Sequence, residues 1–453
     1  MIRILLIRHG RTNWNVAGDN ASLHGERFRG TLDVPLADEG VTQSEITARR
    51  LAAIPFNAIY ASPLRRAART AAILAAPHGL HVDTLPGLSS MNYGSWAGRS
   101  HADVAGEWPE LYRAWRRDPF SVSIPGGESA AGVRDRARDA VYQILEHHGD
   151  GDTVAIVTHQ MVTKVLLCTL MGMPDAGYWT LRQDLCNVNV LSYASGVSST
   201  PGVSSTPGVS STPGSGTFTL HAMNDTCHLD PALPAEGTAD RSKQTGVRLL
   251  VVRHGQTGWN VGAGPERFRG RTDLSLDATG LAQAKAVGAR LATEPVRALY
   301  SSPLLRTRQT LAPLAELAGL SIVSHPGLLD IDYGSFQGLN HNAAASAYPE
   351  TYALWHAHPG QVTFPHGEGL RHVQDRLQLL LSELAAAHAG ETIALAGHQM
   401  VNKVLACTLL GLDLDQIWRI DQATAGIDVY QHAGSTWQVL RLNDTCHLQG
   451  TTV

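Results

Sequence analysis

No stretch of this chain of 453 residues is apolar over the ~18 residues that a membrane-spanning helix needs, so no membrane partner is expected. Cysteine is scarce. There are five, none in a CxxC pair, which argues against a disulfide framework or a thiol zinc site and predicts reduced thiols. Charge of either sign is not in excess: the net of −4 gives no reason to expect nucleic acid or an anionic surface as partner. The opening MIRILLIRHG has no small-residue cleavage site, so a secretory signal is not expected and a cytoplasmic protein is. The 21 histidines do not fall at metal-ligand spacings, and no metal or cofactor is expected.

What is present is a repeat. LLIRHGRTNWN from Leu5 returns as LVVRHGQTGWN from Leu250, ERFRGTLD as ERFRGRTD, and YASPLRRAART as YSSPLLRTRQT. MNYGSWAG returns as IDYGSFQG, THQMVTKVLLCTLMGM as GHQMVNKVLACTLLGL, and NDTCHL stands in both halves. The offsets are 253 − 8 = 245, 267 − 27 = 240, 398 − 159 = 239 and 443 − 224 = 219. The first half therefore carries about five extra residues after its first motif and about twenty near its end. The later insertion holds GVSSTP three times, from Gly196 to Pro213, between two strand-like segments. It is read as the tip of a hairpin. The chain is thus expected to hold one domain over 1–229, a polar linker over 230–245 and a second domain over 246–453.

Each half opens with a short apolar run, Ile4 to Ile7 and Leu249 to Val252, that stops at Arg-His-Gly. Runs of this kind predict buried parallel strands. Similar runs end at Ser-Pro-Leu, where Pro63 and Pro303 suit a helix start, and at His159 and His398. Helical periodicity lies between them, as in Val133, Ala137, Val141 and Ile144. Alternating strands and helices predict α/β architecture with mostly parallel sheets and ligands beyond the carboxyl ends of the strands.

Those ends hold the reactive residues. Arg253 and His254 close one strand, Arg306 opens the helix after another, and His398 closes a third; Arg8, His9, Arg66 and His159 repeat the set. Guanidinium forks suit the oxygens of a phosphoryl dianion. Neighbouring arginines also keep an imidazole neutral and nucleophilic. A leaving alkoxide needs a proton, for which Asp330 and Asp332 are the candidates. Glu128 and Glu368 are read as helix-start carboxylates, and the NDTCHL cysteines Cys227 and Cys446 as packing groups.

In order and in spacing these motifs resemble the histidine phosphatase superfamily, also called phosphoglycerate-mutase-like, over nearly the whole chain twice. The resemblance implies two tandem three-layer α/β/α sandwiches and a metal-free hydrolysis of small phosphate monoesters through phosphohistidine. By it, His254 and His9 are the phosphorylated residues. Arg253, Arg306 and His398, with Arg8, Arg66 and His159, line the phosphate pockets. Thr257 and Asn260, with Thr12 and Asn15, contact phosphate at the rim. Asp330 stands at the proton-donor position, where the family usually has Glu, and Ser90 holds that position in the first half. The second half is therefore expected to be the active one. The first half is expected to bind phosphorylated ligands or to serve as an intrachain pseudo-dimer partner. Mutase-type transfer is the alternative reaction, disfavoured by the short Asp330 to Glu368 interval (368 − 330 = 38).

Overall fold

In the computed structural model, which describes residues 1–15, 27–196, 216–230, 233, 246–260, 266–434 and 436–448, the chain divides into two units, Met1–Pro231 and Ala232–Val453. The first unit contains strands β1 (Ile2–Arg8), β2 (Ala58–Ala61), β3 (Val82–Thr84), β4 (Thr153–Thr158), β5 (Val188–Ala194) and β6 (Thr217–Asp225). They lie in the order β3-β2-β4-β1-β5-β6. β1 to β4 run parallel, while β5 and β6 add an antiparallel pair. The second unit repeats this with β7 (Arg248–Arg253), β8 (Val296–Ser301), β9 (Ile322–Ser324), β10 (Thr392–Gly397), β11 (Ile427–Ala433) and β12 (Thr436–Asp444). Its order is β9-β8-β10-β7-β11-β12, again parallel through the first four.

The continuous apolar runs follow from burial on both sheet faces, which removes the polar alternation of a half-exposed strand. β4, β7 and β10 are buried at every residue. Leu5 and Ile7 pack with Ala48, Leu51, Ala67 and Leu74 of helices Asp38–Leu51 and Arg65–Ala75. By strand alternation Ile4 and Leu6 point to the opposite face, where helices Ala130–Glu146 and Gln160–Met171 pack on each other. Each unit is therefore a three-layer α/β/α sandwich.

The loop after each Arg-His-Gly is pressed against a helix start, and glycine is required on both sides. A Cβ on Gly255 would stand 2.7 Å from Gly280 O, and one on Gly280 would stand 2.0 Å from Gln256 O. Even a methyl group would push the strand-end histidine out of position.

β5 and β6 pair up to Ala194 opposite Thr217. The GVSSTP tract beyond Gly196 lies outside the described residues, as does most of 230–245. Leu233, inside the segment read as linker, is buried with Leu250 and Val252. Its carbonyl accepts from Arg248 Nη2, and its N–H donates to Glu294.

NDTCHL is structural. Asn224 and Asn443 adopt left-handed backbone (φ 57° and 55°), which asparagine tolerates. Asn443 Oδ1 accepts from Ala423 N, while Asn224 Oδ1 accepts from Asp184 N and Asn187 Nδ2. The expectation of reduced thiols fails at two positions: Cys227 and Cys446 are disulfide-bonded. The number of cysteines and the absence of CxxC say nothing about pairing set by the fold. Cys168, Cys186 and Cys407 are free and buried, and burial pushes the first and last up to about 12 and Cys186 up to about 11.

Candidate active site

His254 follows the last residue of β7 and is 1% exposed. Its Nδ1 stands 2.7 Å from Gly255 O. A carbonyl can only accept, so Nδ1 carries the proton and Nε2 keeps its lone pair. Burial first, then Arg306, Arg253 and Arg269, hold the imidazole well below its ordinary value, so it is neutral. His9 repeats the arrangement, with Nδ1 2.7 Å from Gly10 O and its proton affinity lowered by burial, His159, Arg66, Arg8 and Arg29.

The second histidine of each set closes the next strand over. The His254 and His398 ring centres are 5.3 Å apart, and those of His9 and His159 are 5.1 Å apart. Both ring nitrogens of His398 are buried without a hydrogen-bond partner among the described residues. His159 Nε2 is 2.8 Å from Ser62 Oγ, which leaves its Nδ1 as the buried atom without a partner.

The arginines are held by backbone carbonyls, which aim the guanidinium without neutralising it. Arg306 donates to Thr272 O and Gly270 O, both at 2.8 Å, and Arg66 to Leu32 O and Gly30 O at 2.8 and 2.7 Å. Arg253 donates to Gln422 O and Arg8 to Gln183 O. Their burial pushes Arg253 and Arg66 down to about 10.

The units part at the carboxylate. Asp330 Oδ2 lies 3.1 Å from Arg306 Nη2 and 3.6 Å from His398 Nδ1. Burial raises its proton affinity against the pull of Arg306 and Arg269. A carboxyl held up in this way is suited to deliver a proton. Ser90 takes its place in the first unit, and it too is buried. Asp332 is committed elsewhere: it accepts from Gly334 N and pairs with Arg271. Glu368 pairs with Arg271 and Arg376, and Glu128 pairs with Arg136 at 2.6 Å.

Arg8, His9, Arg66 and His159 line a cavity of about 210 Å³ together with Ser90. A cavity of about 140 Å³ in the second unit is lined by His254 and Asp330, with Arg253, Arg306 and His398 buried beside His254. Thr257 and Asn260 do not line it. The Thr257 N–H and Oγ1–H both donate to Asn260 Oδ1 at 2.9 Å and close the turn that follows His254. Thr12 and Asn15 do the same after His9. Sequence reasoning passed over Arg29 and Arg269, which line the cavities and act on every histidine of the set. The signal was there: RFRG stands in both halves. Among the described residues no cluster of three His, Cys, Asp or Glu could hold a metal ion.

The strand-end cluster of arginine and histidine on this α/β fold has a chemistry suited to phosphoryl groups. The chain belongs to the histidine phosphatase superfamily (branch 1), whose family model matches residues 4–201 and again 249–445. It is a phosphatase. Phosphoserine phosphatase 1 of Hydrogenobacter thermophilus is 33% identical over 203 residues, 45% of this chain and 94% of that protein. An adenosylcobalamin/α-ribazole phosphatase of Salmonella typhimurium is 31% identical over 181 residues, 40% of this chain and 85% of its own. The solved structure of a mycobacterial glucosyl-3-phosphoglycerate phosphatase is 27% identical and covers 49% of this chain and 98% of its own, with a TM-score of 0.40. Among the described residues no helix is long and apolar enough to cross a membrane.

Proposed function

We propose that the second unit hydrolyses small phosphate monoesters by phosphoryl transfer to His254 Nε2. The observation that carries this reading is the Nδ1–H to Gly255 O bond, which leaves Nε2 unprotonated in an arginine-rich pocket. Nε2 attacks phosphorus, the N–P bond forms as the ester P–O bond breaks, and Asp330 gives its proton to the leaving oxygen. Arg253, Arg306, Arg269 and His398 hold the non-bridging oxygens, whose charge is the main thing such a transfer must stabilise. Water then attacks the phosphohistidine, Asp330 takes up its proton, and phosphate leaves with His254 restored.

The first unit is read as a phosphate-binding pocket with slow turnover, because Ser90 cannot serve as an acid near neutral pH. The named activities of the relatives support phosphomonoesters as the substrate class, serine and ribazole phosphates being the first to try. Release of inorganic phosphate should be screened across such esters with His254→Ala and His9→Ala side by side. Loss of turnover in His254→Ala is the expected result. Unchanged turnover in that variant would overturn the assignment to the second unit.

A further inference from the structure

The two units share a frame but differ in charge at equivalent places in the repeat. Arg116 stands where the second unit has His356, and Arg182 stands where it has Asp421. Both units bury a lysine in the helix that follows the late histidine, Lys164 at 6% exposed and Lys403 at 5%. Asp421 is the first charge that favours the Lys403 ammonium. Lys164 has no such neighbour in Arg182, which is itself paired with Asp184 at 2.8 Å.

Lys164 makes no ion pair or hydrogen bond with the described residues, yet it lines the first cavity. Its Nζ lies 5.0 Å from the Tyr178 ring centre and 5.2 Å from that of Trp179. The Arg116 guanidinium carbon lies 4.9 Å from the same Trp179 ring. The Trp179 indole N–H is buried without an acceptor among the described residues, while that of Trp418 donates to Trp355 O at 3.3 Å. Burial lowers Lys164 to about 8, with Arg8 and Arg116 pressing in the same direction and Asp184 opposing them. A buried ammonium without a direct ion pair is costly, and an anion in the cavity would relieve that cost.

We propose that Lys164 and Arg116, both set against Trp179, form a subsite for a second anionic group in the first cavity. That cavity would then take phosphate esters whose alcohol carries a carboxylate or a further phosphate. The proposal rests on the reading of Arg8, His9, Arg66 and His159 as a phosphate pocket.

The test is calorimetric titration of the full chain with non-hydrolysable phosphonates: propylphosphonate, 3-phosphonopropionate and propane-1,3-diyl bisphosphonate. One of the two pockets should prefer a doubly anionic probe over propylphosphonate by about ten-fold or more. The tighter of the two identifies the second anion as carboxylate or phosphate. Lys164→Gln and Arg116→His should each shrink that preference, leaving propylphosphonate affinity and the other pocket unchanged. Arg116 is exposed, so its variant keeps the test informative if Lys164→Gln does not fold. Equal affinity for all three probes, or a preference that survives both substitutions, would overturn the second-anion subsite alone. A first pocket that binds none of the probes would overturn the phosphate-pocket reading with it.

Discussion

The Arg306 guanidinium meets the Asp330 carboxylate at 3.1 Å, and nothing comparable exists between Arg66 and Ser90 in the first unit. The same phosphate-binding frame therefore occurs once with a buried acid and once without. In the full chain carrying His254→Ala, the first pocket should hydrolyse p-nitrophenyl phosphate slowly and alkyl phosphates hardly at all. Adding Ser90→Glu should raise the alkyl rate by about 10²-fold or more, with little gain on the aryl ester. Glu128 is tied to Arg136 at 2.6 Å and should not substitute for the missing acid. An equal gain on both ester types would mean that Ser90→Glu acts other than by protonating the leaving group.

Asp330→Asn should show the converse in the second unit. The acid form of Asp330 is the working form, so alkyl ester turnover falls as pH rises through its elevated pKa. In the variant that alkaline limb should vanish along with most of the alkyl rate, while p-nitrophenyl phosphate is spared. A pH profile with its alkaline limb intact in Asp330→Asn would assign the limb to another group.

Arg269→Ala should cost about 10²-fold in kcat/KM on good and poor leaving groups alike, the loss of a charge-assisted contact to phosphate. An effect limited to poor leaving groups would point to an action through Asp330 instead.

Stability should fall in acid. His9, His159, His254 and His398 are all held below the ordinary histidine value by burial, so the unfolded chain binds more protons once pH drops below about 6.5. Stability is then full above that pH and is lost progressively below it. Denaturant midpoints measured from pH 7.5 downward should show this decline, and His398→Asn should flatten it. A wild-type midpoint constant down to pH 5 would contradict buried neutral histidines.

Chelation with EDTA followed by dialysis should leave turnover intact, because arginines neutralise the phosphoryl charge in this mechanism. Activity lost to the chelator and restored by Mg²⁺ would require a different one.

Much of this site was legible in the chain because the repeat displays each motif twice and burial makes strand ends stand out. Arg-His-Gly and the late histidine fall where apolar runs stop, and those stops are the carboxyl ends of β1, β4, β7 and β10. Three things were hidden. The turn that Thr257 and Asn260 close is set by hydrogen bonds to Asn260 Oδ1 that the residue types alone do not display. Arg269 sits in a loop without periodicity, so its place at the cavity depends on how that loop folds back. Lys164 belongs to an apolar helix, where a lone lysine reads as an interruption until the cavity beside it is seen.

The most direct test of the account is a rapid quench of the full chain during turnover of a ³²P-labelled monoester, followed by peptide mapping of the protein-bound label. The account predicts alkali-stable, acid-labile phosphate on the peptide carrying His254, absent in His254→Ala and retained in His9→Ala. Steady turnover with no label on His254 would contradict it.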